Sequence, residues 1–187
     1  MTKRNEQIWD PALRIFHWAL AAAVVASWLL GQFGPLDMTL HFWSGYAVAV
    51  LIGFRLVWGF VGPRTARFAS FLRGPGVVLA YVRSLPARKA SHARGHNPLG
   101  GWSILAMLGL LIAQIGTGLI LDPEDYINVG PLAESVSTEW NRWALGMHHK
   151  LGVALLALVV LHLAAILFYR FWKREDLVTP MITGQRR

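Results

Sequence analysis

The sequence predicts an all-α fold, a bundle of four membrane-spanning helices. Apolar residues make up 55% of the 187 residues and charged residues only 15%, which is too little polar surface for a soluble globular protein of this size. Four segments approach the length of about 20 apolar residues that crosses a bilayer. Many of the nine Trp and nine Phe residues lie near the ends of these segments, as in the aromatic belts at the headgroup level.

The four expected spans are residues 15–36, 40–62, 98–121 and 148–172. Together with their connections they predict one transmembrane domain over residues 1–187. The first span follows Lys3 and Arg4, as a secretory signal peptide would, but it is too long and too aromatic for one. Asn97 and Pro98 provide an N-cap and a first helical residue for the third span.

The charged residues sort by membrane side. The connection 63–97 carries seven Lys and Arg residues and no carboxylate, and the tail from Arg170 adds more basic residues. The connection 122–147 carries five carboxylates against Arg142. By the positive-inside rule, we expect loop 63–97 and both termini in the cytoplasm and loop 122–147 in the periplasm of a bacterial inner membrane. The net charge of +8 is therefore attributed to membrane lipid and not to nucleic acid.

The basic connection contains an apolar stretch, 77–85. Two interpretations remain open for it. It forms a short helix in the headgroup layer, or it belongs to a solvated basic loop attracted to anionic lipid.

The sequence has no cysteine, which excludes a covalently attached haem, thiolate-bound iron–sulfur clusters and disulfides. It also lacks a phosphate-binding glycine loop, a dinucleotide fingerprint, an H-E-x-x-H zinc site and a nucleophile elbow. Any metal centre must therefore use histidine or carboxylate ligands.

Four histidines lie inside or at the mouth of the spans. His148 and His162 are fourteen residues apart, which on a helix places them on one face to within about 40° and roughly 21 Å apart. With the amino terminus inside, His17 reaches the depth of His162, and His41 reaches that of His148. An ionisable group at such a depth in the membrane costs free energy, so it is normally retained only where it is paired or has a function. The arrangement predicts two stacked haems, each with two histidine ligands.

Other polar residues leave alternatives open. His149 competes with His148, but it is rotated by about 140° from the face of His162; it and Lys150 reach either an outer haem propionate or the headgroups. Arg55 lies at the depth of the inner haem and either pairs with a propionate or extends to the inner surface. Arg14 is read as a positive-inside anchor or, alternatively, as a propionate contact.

The third span has no histidine and is expected to complete the wall around the haems or a quinone pocket. Glycines in the second and third spans either admit a flat macrocycle or serve helix contacts: Gly45, Gly109, Gly116 and Gly118. His92 and His96 are expected on the surface of the cytoplasmic loop, with contact between His96 and a propionate or quinone as the alternative.

A group of motifs resembles the bacterial cytochrome b561 family, which shares its fold with the cytochrome b subunit of nickel–iron hydrogenases. The motifs are Trp9-Asp10-Pro11, Arg14, His17-Trp18, His41, Gly45-Tyr46, Phe54-Arg55-Leu56-Val57-Trp58-Gly59, Gly95-His96-Asn97-Pro98, His148 and His162. The resemblance implies a four-helix cytochrome with two b haems, whose axial ligands match His17, His41, His148 and His162. One departure is His149, where the family often has an acidic residue; this puts the potential of the outer haem in doubt.

Two histidines on each iron leave no open position, which suits electron transfer. We expect electron transfer across the membrane between the quinone pool, ubiquinone being one candidate, and a basic periplasmic protein such as a c-type cytochrome, which the acidic outer loops would attract. The alternatives are superoxide oxidation coupled to quinone reduction, a haem-bearing anchor of a hydrogenase or formate dehydrogenase, and a metal transporter without haem. A homodimer is compatible with each of them.

Overall fold

The computed structural model describes residues 6–88 and 95–186. The helices are, in chain order, α1 (Pro11–Phe33), α2 (Thr39–Val61), α3 (Phe68–Phe71), α4 (Pro75–Arg83), α5 (Pro98–Ile120), α6 (Thr138–Phe171) and α7 (Val178–Thr183). Four of these, α1, α2, α5 and α6, are long and apolar enough to cross a membrane. The predicted all-α membrane fold with four spanning helices is therefore confirmed.

Helix α1 begins four residues before the expected start of the first span. The Asp10 carboxylate accepts a hydrogen bond of 3.0 Å from the backbone N–H of Leu13, and Pro11 is the first helical residue. Asp and Pro are favoured at these two positions, because the carboxylate satisfies a free N–H and proline has none to satisfy. The helix therefore begins at its capping residues, before the apolar run.

Helix α6 differs more from the fourth predicted span, since it begins at Thr138 and has 34 residues. The expected span began at residue 148, so the connection between α5 and α6 is shorter than the predicted 122–147. Glu139 lies in the first turn of α6, where a negative charge favours the helix dipole. The Asn141 amide donates to the carbonyls of Ile120 and Ala133. Hydropathy does not detect the first turns of α6, because the residues there are helical but not predominantly apolar.

The short elements lie in the connections and at the chain ends. Helix α4 confirms the helical interpretation of 77–85, with Gly74 as N-cap and Pro75 as first residue. A short 3-10 helix, Ala133–Ser135, precedes α6. Strand β1 (Glu6–Gln7) pairs antiparallel with β2 (Gln185–Arg186), which joins the two ends of the described chain.

Some residues that the sequence analysis names or counts among the basic residues lie outside the part of the chain that is described. They are Lys3, Arg4, Lys89, His92, Arg94 and Arg187.

Contacts divide the chain into two units, each of which takes part of all four long helices. The first unit comprises the described residues of Met1–His17, Arg55–Ala106 and Val159–Arg187. The second comprises Trp18–Phe54 and Met107–Leu158.

In the first unit, polar contacts join the chain ends and the connections to the helices. The Tyr169 hydroxyl lies 2.6 Å from that of Tyr81 and accepts a hydrogen bond from the Asn97 amide. The Lys173 ammonium donates to the carbonyl of Ala87 at 2.6 Å. These contacts hold α4, α5 and the end of α6 together.

In the second unit, the segment after α5 folds back on that helix. Gly130 donates its N–H to the carbonyl of Leu121, and Leu132 donates to that of Leu119. A Cβ atom on Gly130 would lie 2.6 Å from the Leu119 carbonyl oxygen and 2.8 Å from that of Gly118. The close approach of two backbones therefore requires glycine here.

We expect Gly130→Ala to destabilise the protein by about 1–3 kcal/mol, because the methyl group meets backbone atoms that cannot move independently. Thermal unfolding followed by circular dichroism in detergent should show a lower Tm. Gly76→Ala is the matched control, since nothing lies within 4 Å of its Cβ position. An equal Tm for the two variants would contradict the packing argument.

Candidate functional site

The four predicted histidines come together in two pairs, one in each unit. In the first unit, the ring centres of His17 and His162 are 6.5 Å apart. In the second, those of His41 and His148 are 6.1 Å apart. These are the pairs that depth in the membrane predicts from the sequence.

The spacing within each pair is compatible with two imidazole ligands on one iron atom. Two metal–nitrogen bonds of about 2 Å, with roughly 1 Å from each ring centre to its nitrogen, place the ring centres about 6 Å apart. Each pair therefore leaves room for one iron atom between two imidazoles. In the described part of the chain no group of three or more His, Cys, Asp or Glu residues has metal-binding geometry, so the histidines come in twos, the number that a haem iron requires.

Backbone carbonyls orient both imidazoles of the second unit. The Nδ1 atom of His41 lies 2.9 Å from the carbonyl oxygen of Ser27, and Nδ1 of His148 lies 3.1 Å from that of Gln114. A carbonyl can only accept, so each Nδ1 carries the proton and Nε2 keeps its lone pair. Such a bond fixes the ring and raises the basicity of the ligating nitrogen.

Thr117 completes the surroundings of His148. Its hydroxyl oxygen lies 3.1 Å from the His148 Nδ1 atom and donates to the carbonyl of Ala113 at 2.9 Å. The threonine hydroxyl thus faces the protonated side of the ring and leaves the opposite nitrogen available.

Two glycines make space for the same imidazoles. A Cβ atom on Gly31 would lie 3.2 Å from two atoms of the His41 ring, and one on Gly118 would lie 3.0 Å from Cε1 of His148. Gly118 therefore makes room for the His148 ring, a role that differs from both interpretations given above, room for a macrocycle and helix contact. Gly45, Gly109 and Gly116 have nothing within 4 Å of their Cβ positions, which is compatible with either interpretation given above.

Sequence reasoning missed Ser27, Gly31, Gln114 and Thr117. Thr117 offered a signal, because it is a hydroxyl-bearing residue within an apolar span. Ser27 and Gln114 contribute backbone carbonyls, and Gly31 contributes the absence of a side chain. None of these three contributions can be read from residue type.

His96 is not a surface histidine, and that expectation is corrected. Its ring packs against Trp9, with ring centres 4.5 Å apart, and against Phe71, at 4.8 Å. Burial lowers its pKa to about 3, and the positive charge of Arg55 adds to this effect. His96 is therefore neutral at neutral pH. Its Nδ1 atom is buried and has no hydrogen-bond partner among the described residues.

Arg55 does not extend to the surface, so that interpretation is wrong. The residue is 2% exposed, its Nη2 donates to the carbonyl of Ala66 at 3.1 Å, and its guanidinium lies 4.6 Å from the ring centre of Phe68. Its Nη1 atom is buried without a hydrogen-bond partner among the described residues. Arg55 and His96 thus both bring unused polar nitrogens to the first unit.

The other polar candidates differ in position. Arg14 donates to the carbonyl of Ile182, which ties α1 to α7. His149 and Lys150 are exposed, whereas His148 is partly buried and faces His41. The structure therefore brings His148, and not His149, into the pair.

Comparison with known proteins gives one family and several relatives. Residues 8–184 match the profile of the prokaryotic cytochrome b561 family. The chain is 25% identical to a probable Ni/Fe-hydrogenase B-type cytochrome subunit of Rhizobium leguminosarum bv. viciae, covering 98% of this chain and 90% of that protein. It is 24% identical to the corresponding hydrogenase 1 subunit of Escherichia coli K12, covering 97% and 91%. A third such subunit, from Bradyrhizobium diazoefficiens, is 24% identical over 96% of this chain and 85% of its own length.

We expect Gly118→Ala to displace the His148 ring, at a cost of about 1–3 kcal/mol for overpacking, and to lower the haem-to-protein ratio of the purified protein. Pyridine haemochrome absorbance measures that ratio. Gly116→Ala, two residues away with open space at its Cβ position, should retain the full ratio. If both variants keep their haem, Gly118 does not position the ligand.

Proposed function

The chain belongs to the prokaryotic cytochrome b561 family, and from this premise we propose that it carries two b haems and passes electrons across the bacterial inner membrane. Membership makes it an integral membrane b-type cytochrome of electron transfer. The number of haems, the two redox partners and the orientation are our proposal. The observation that carries it is the spacing of about 6 Å between imidazole ring centres in both histidine pairs.

The residues fit two haems of this kind. His17 and His162 would hold the inner haem, and His41 and His148 the outer one. When bound, haem iron accepts and releases one electron at a time. With two histidines holding each haem, the group would be suited to electron transfer and not to oxygen binding.

Arg55 and His96 are the proposed partners of an inner haem propionate. Both have a buried nitrogen without a hydrogen-bond partner among the described residues, and a buried polar group of that kind is costly. A carboxylate would accept hydrogen bonds from the guanidinium of Arg55 and, in the tautomer protonated at Nδ1, from His96. This favours propionate pairing for Arg55.

On the cytoplasmic side, the proposed electron partner is a quinone, with ubiquinone as one candidate. On the periplasmic side, Glu124, Asp125, Glu134 and Glu139 are exposed. Arg142 pairs with Glu124 at 3.0 Å, which leaves most of this negative charge uncompensated. Such a surface attracts a basic protein such as a c-type cytochrome and repels an anion. Superoxide oxidation is therefore the weaker alternative.

A second candidate function is supported by the relatives. Three of them are named hydrogenase cytochrome subunits, and the chain covers 85–91% of their length. In this alternative the protein anchors a peripheral dehydrogenase and receives its electrons. Purification from the native membrane under mild conditions distinguishes the two: a stoichiometric dehydrogenase supports the anchor, and its absence supports exchange with a diffusing partner.

Haem binding is tested by the dithionite-reduced minus oxidised spectrum and by the haem-to-protein ratio. We expect a b-type α band and two haems per chain. Replacing His41 or His148 by alanine should remove only the outer haem, and replacing His17 or His162 only the inner one, so each variant keeps about one haem, since an iron that loses one of two axial ligands is bound weakly.

His149→Ala and His92→Ala are the controls for these variants, and both should retain two haems. Full haem retention in any of the four ligand variants would overturn the assignment. A spectrum without a b-type α band would favour the metal transporter.

The orientation is tested with alkaline phosphatase, which needs disulfides and is therefore active only in the periplasm. We expect activity when the enzyme is fused after residue 130, and none when it is fused after residue 80 or at the carboxyl end, because the basic segments stay in the cytoplasm. The reverse pattern would invert the proposed inner and outer sites.

A further inference from the structure

The segment between α2 and α4 lines an open surface cavity of about 300 Å³ in the first unit, which we call the arginine cavity. Its lining residues are Arg64, Arg67, Ala69, Ser70 and Arg73. Three of these residues carry a positive charge.

Within residues 6–88 and 95–186, no ion pair neutralises the arginines of the arginine cavity. The sequence has no Asp or Glu between residues 63 and 97. The ion pairs found among the described residues join Arg142 to Glu124 and Arg170 to Asp176. Neither involves an arginine of the cavity, so an anion from outside has no carboxylate to displace.

Hydrogen bonds hold the cavity in shape. The buried Arg55 donates to the carbonyl of Ala66, which is 0% exposed. The Arg67 Nε atom donates to the carbonyl of Gly62 at 2.6 Å, and Arg73 Nη2 donates to that of Ser70 at 2.8 Å. The segment is therefore ordered before a ligand arrives, which reduces the entropy that binding costs.

Arg64 is exposed, whereas Arg67 and Arg73 donate hydrogen bonds to backbone carbonyls. The planar guanidinium group of Arg64 is available, and two of its N–H groups match two oxygens of a phosphate. The chemistry of the cavity therefore fits a phosphate group.

An apolar surface adjoins the cavity. Phe60 and Val61, at the end of α2, are 73% and 66% exposed, and the ring of Phe60 packs on that of Phe68 with centres 5.5 Å apart. The partly exposed indole of Trp102 donates to the carbonyl of Arg73 at 2.8 Å, and indoles of this kind favour the headgroup level. A ligand with both a phosphate and acyl chains uses the cavity and this surface together.

We propose that the arginine cavity is a binding site for the headgroup phosphate of an anionic phospholipid, with the acyl chains against Phe60 and Val61. Basic pockets at the cytoplasmic side of spanning helices are suited to such headgroups. The site does not depend on the number of haems or on their redox partners, so it stands or fails separately from the proposed function.

The test uses the haem-loaded protein in detergent, titrated with phosphatidylglycerol or phosphatidylcholine, with bound lipid counted by native mass spectrometry. We expect phosphatidylglycerol to bind more tightly, and Arg64→Gln to weaken its binding about fivefold through the loss of one close positive charge. Arg83→Gln is the matched control, since it removes the same charge at the last turn of α4. It should change the affinity less than twofold.

Equal losses for the two variants would show diffuse attraction and overturn the site. Equal affinity for the two lipids would overturn it as well, and displacement of phosphatidylglycerol by millimolar inorganic phosphate would show that the occupant is a free anion. Haem absorbance reports whether each variant is folded. If Arg64→Gln loses its haem, Arg64→Lys replaces it. This variant keeps the charge but not the fork, and we expect it to bind about twofold more weakly. Unchanged affinity would contradict the proposal.

Discussion

The structure depends on one constraint: a polar group placed inside a bilayer must find its partner within the protein. The second unit meets it with backbone carbonyls, since the Nδ1 atoms of His41 and His148 lie against the carbonyls of Ser27 and Gln114. The same contacts that satisfy one nitrogen leave the other available as the ligand that we propose. Stability in the membrane and preparation for the cofactor are therefore achieved by the same hydrogen bonds.

The first unit meets the constraint incompletely. Arg55 and His96 each keep a buried nitrogen without a partner among the described residues. The imidazoles of His17, His96 and His162 and the guanidinium of Arg55 lie in this unit, and the positive charge of Arg55 adds to burial in lowering the pKa of His96. The unpartnered nitrogens of Arg55 and His96 are the groups that a propionate would complement in the proposal.

Much of this arrangement could be predicted from the sequence, and what could not has a common reason. Hydropathy was enough to predict the four spans. The distribution of charged residues is the basis on which we propose which connections face the cytoplasm. Helix periodicity and depth were enough to bring His17 to His162 and His41 to His148. The polar start of α6, the buried position of His96 and the space left by Gly31 were not predictable in this way. Each of these features depends on contacts between segments that are distant in the sequence. Local composition contains no information about such contacts.

The two histidine pairs become complete at different points along the chain. His148, the later member of one pair, precedes Leu158, where the second unit ends, whereas His162, the later member of the other pair, lies in the segment of the first unit that starts at Val159. A chain that stopped at Leu158 would therefore contain both members of the pair His41–His148 and only one member of the pair His17–His162.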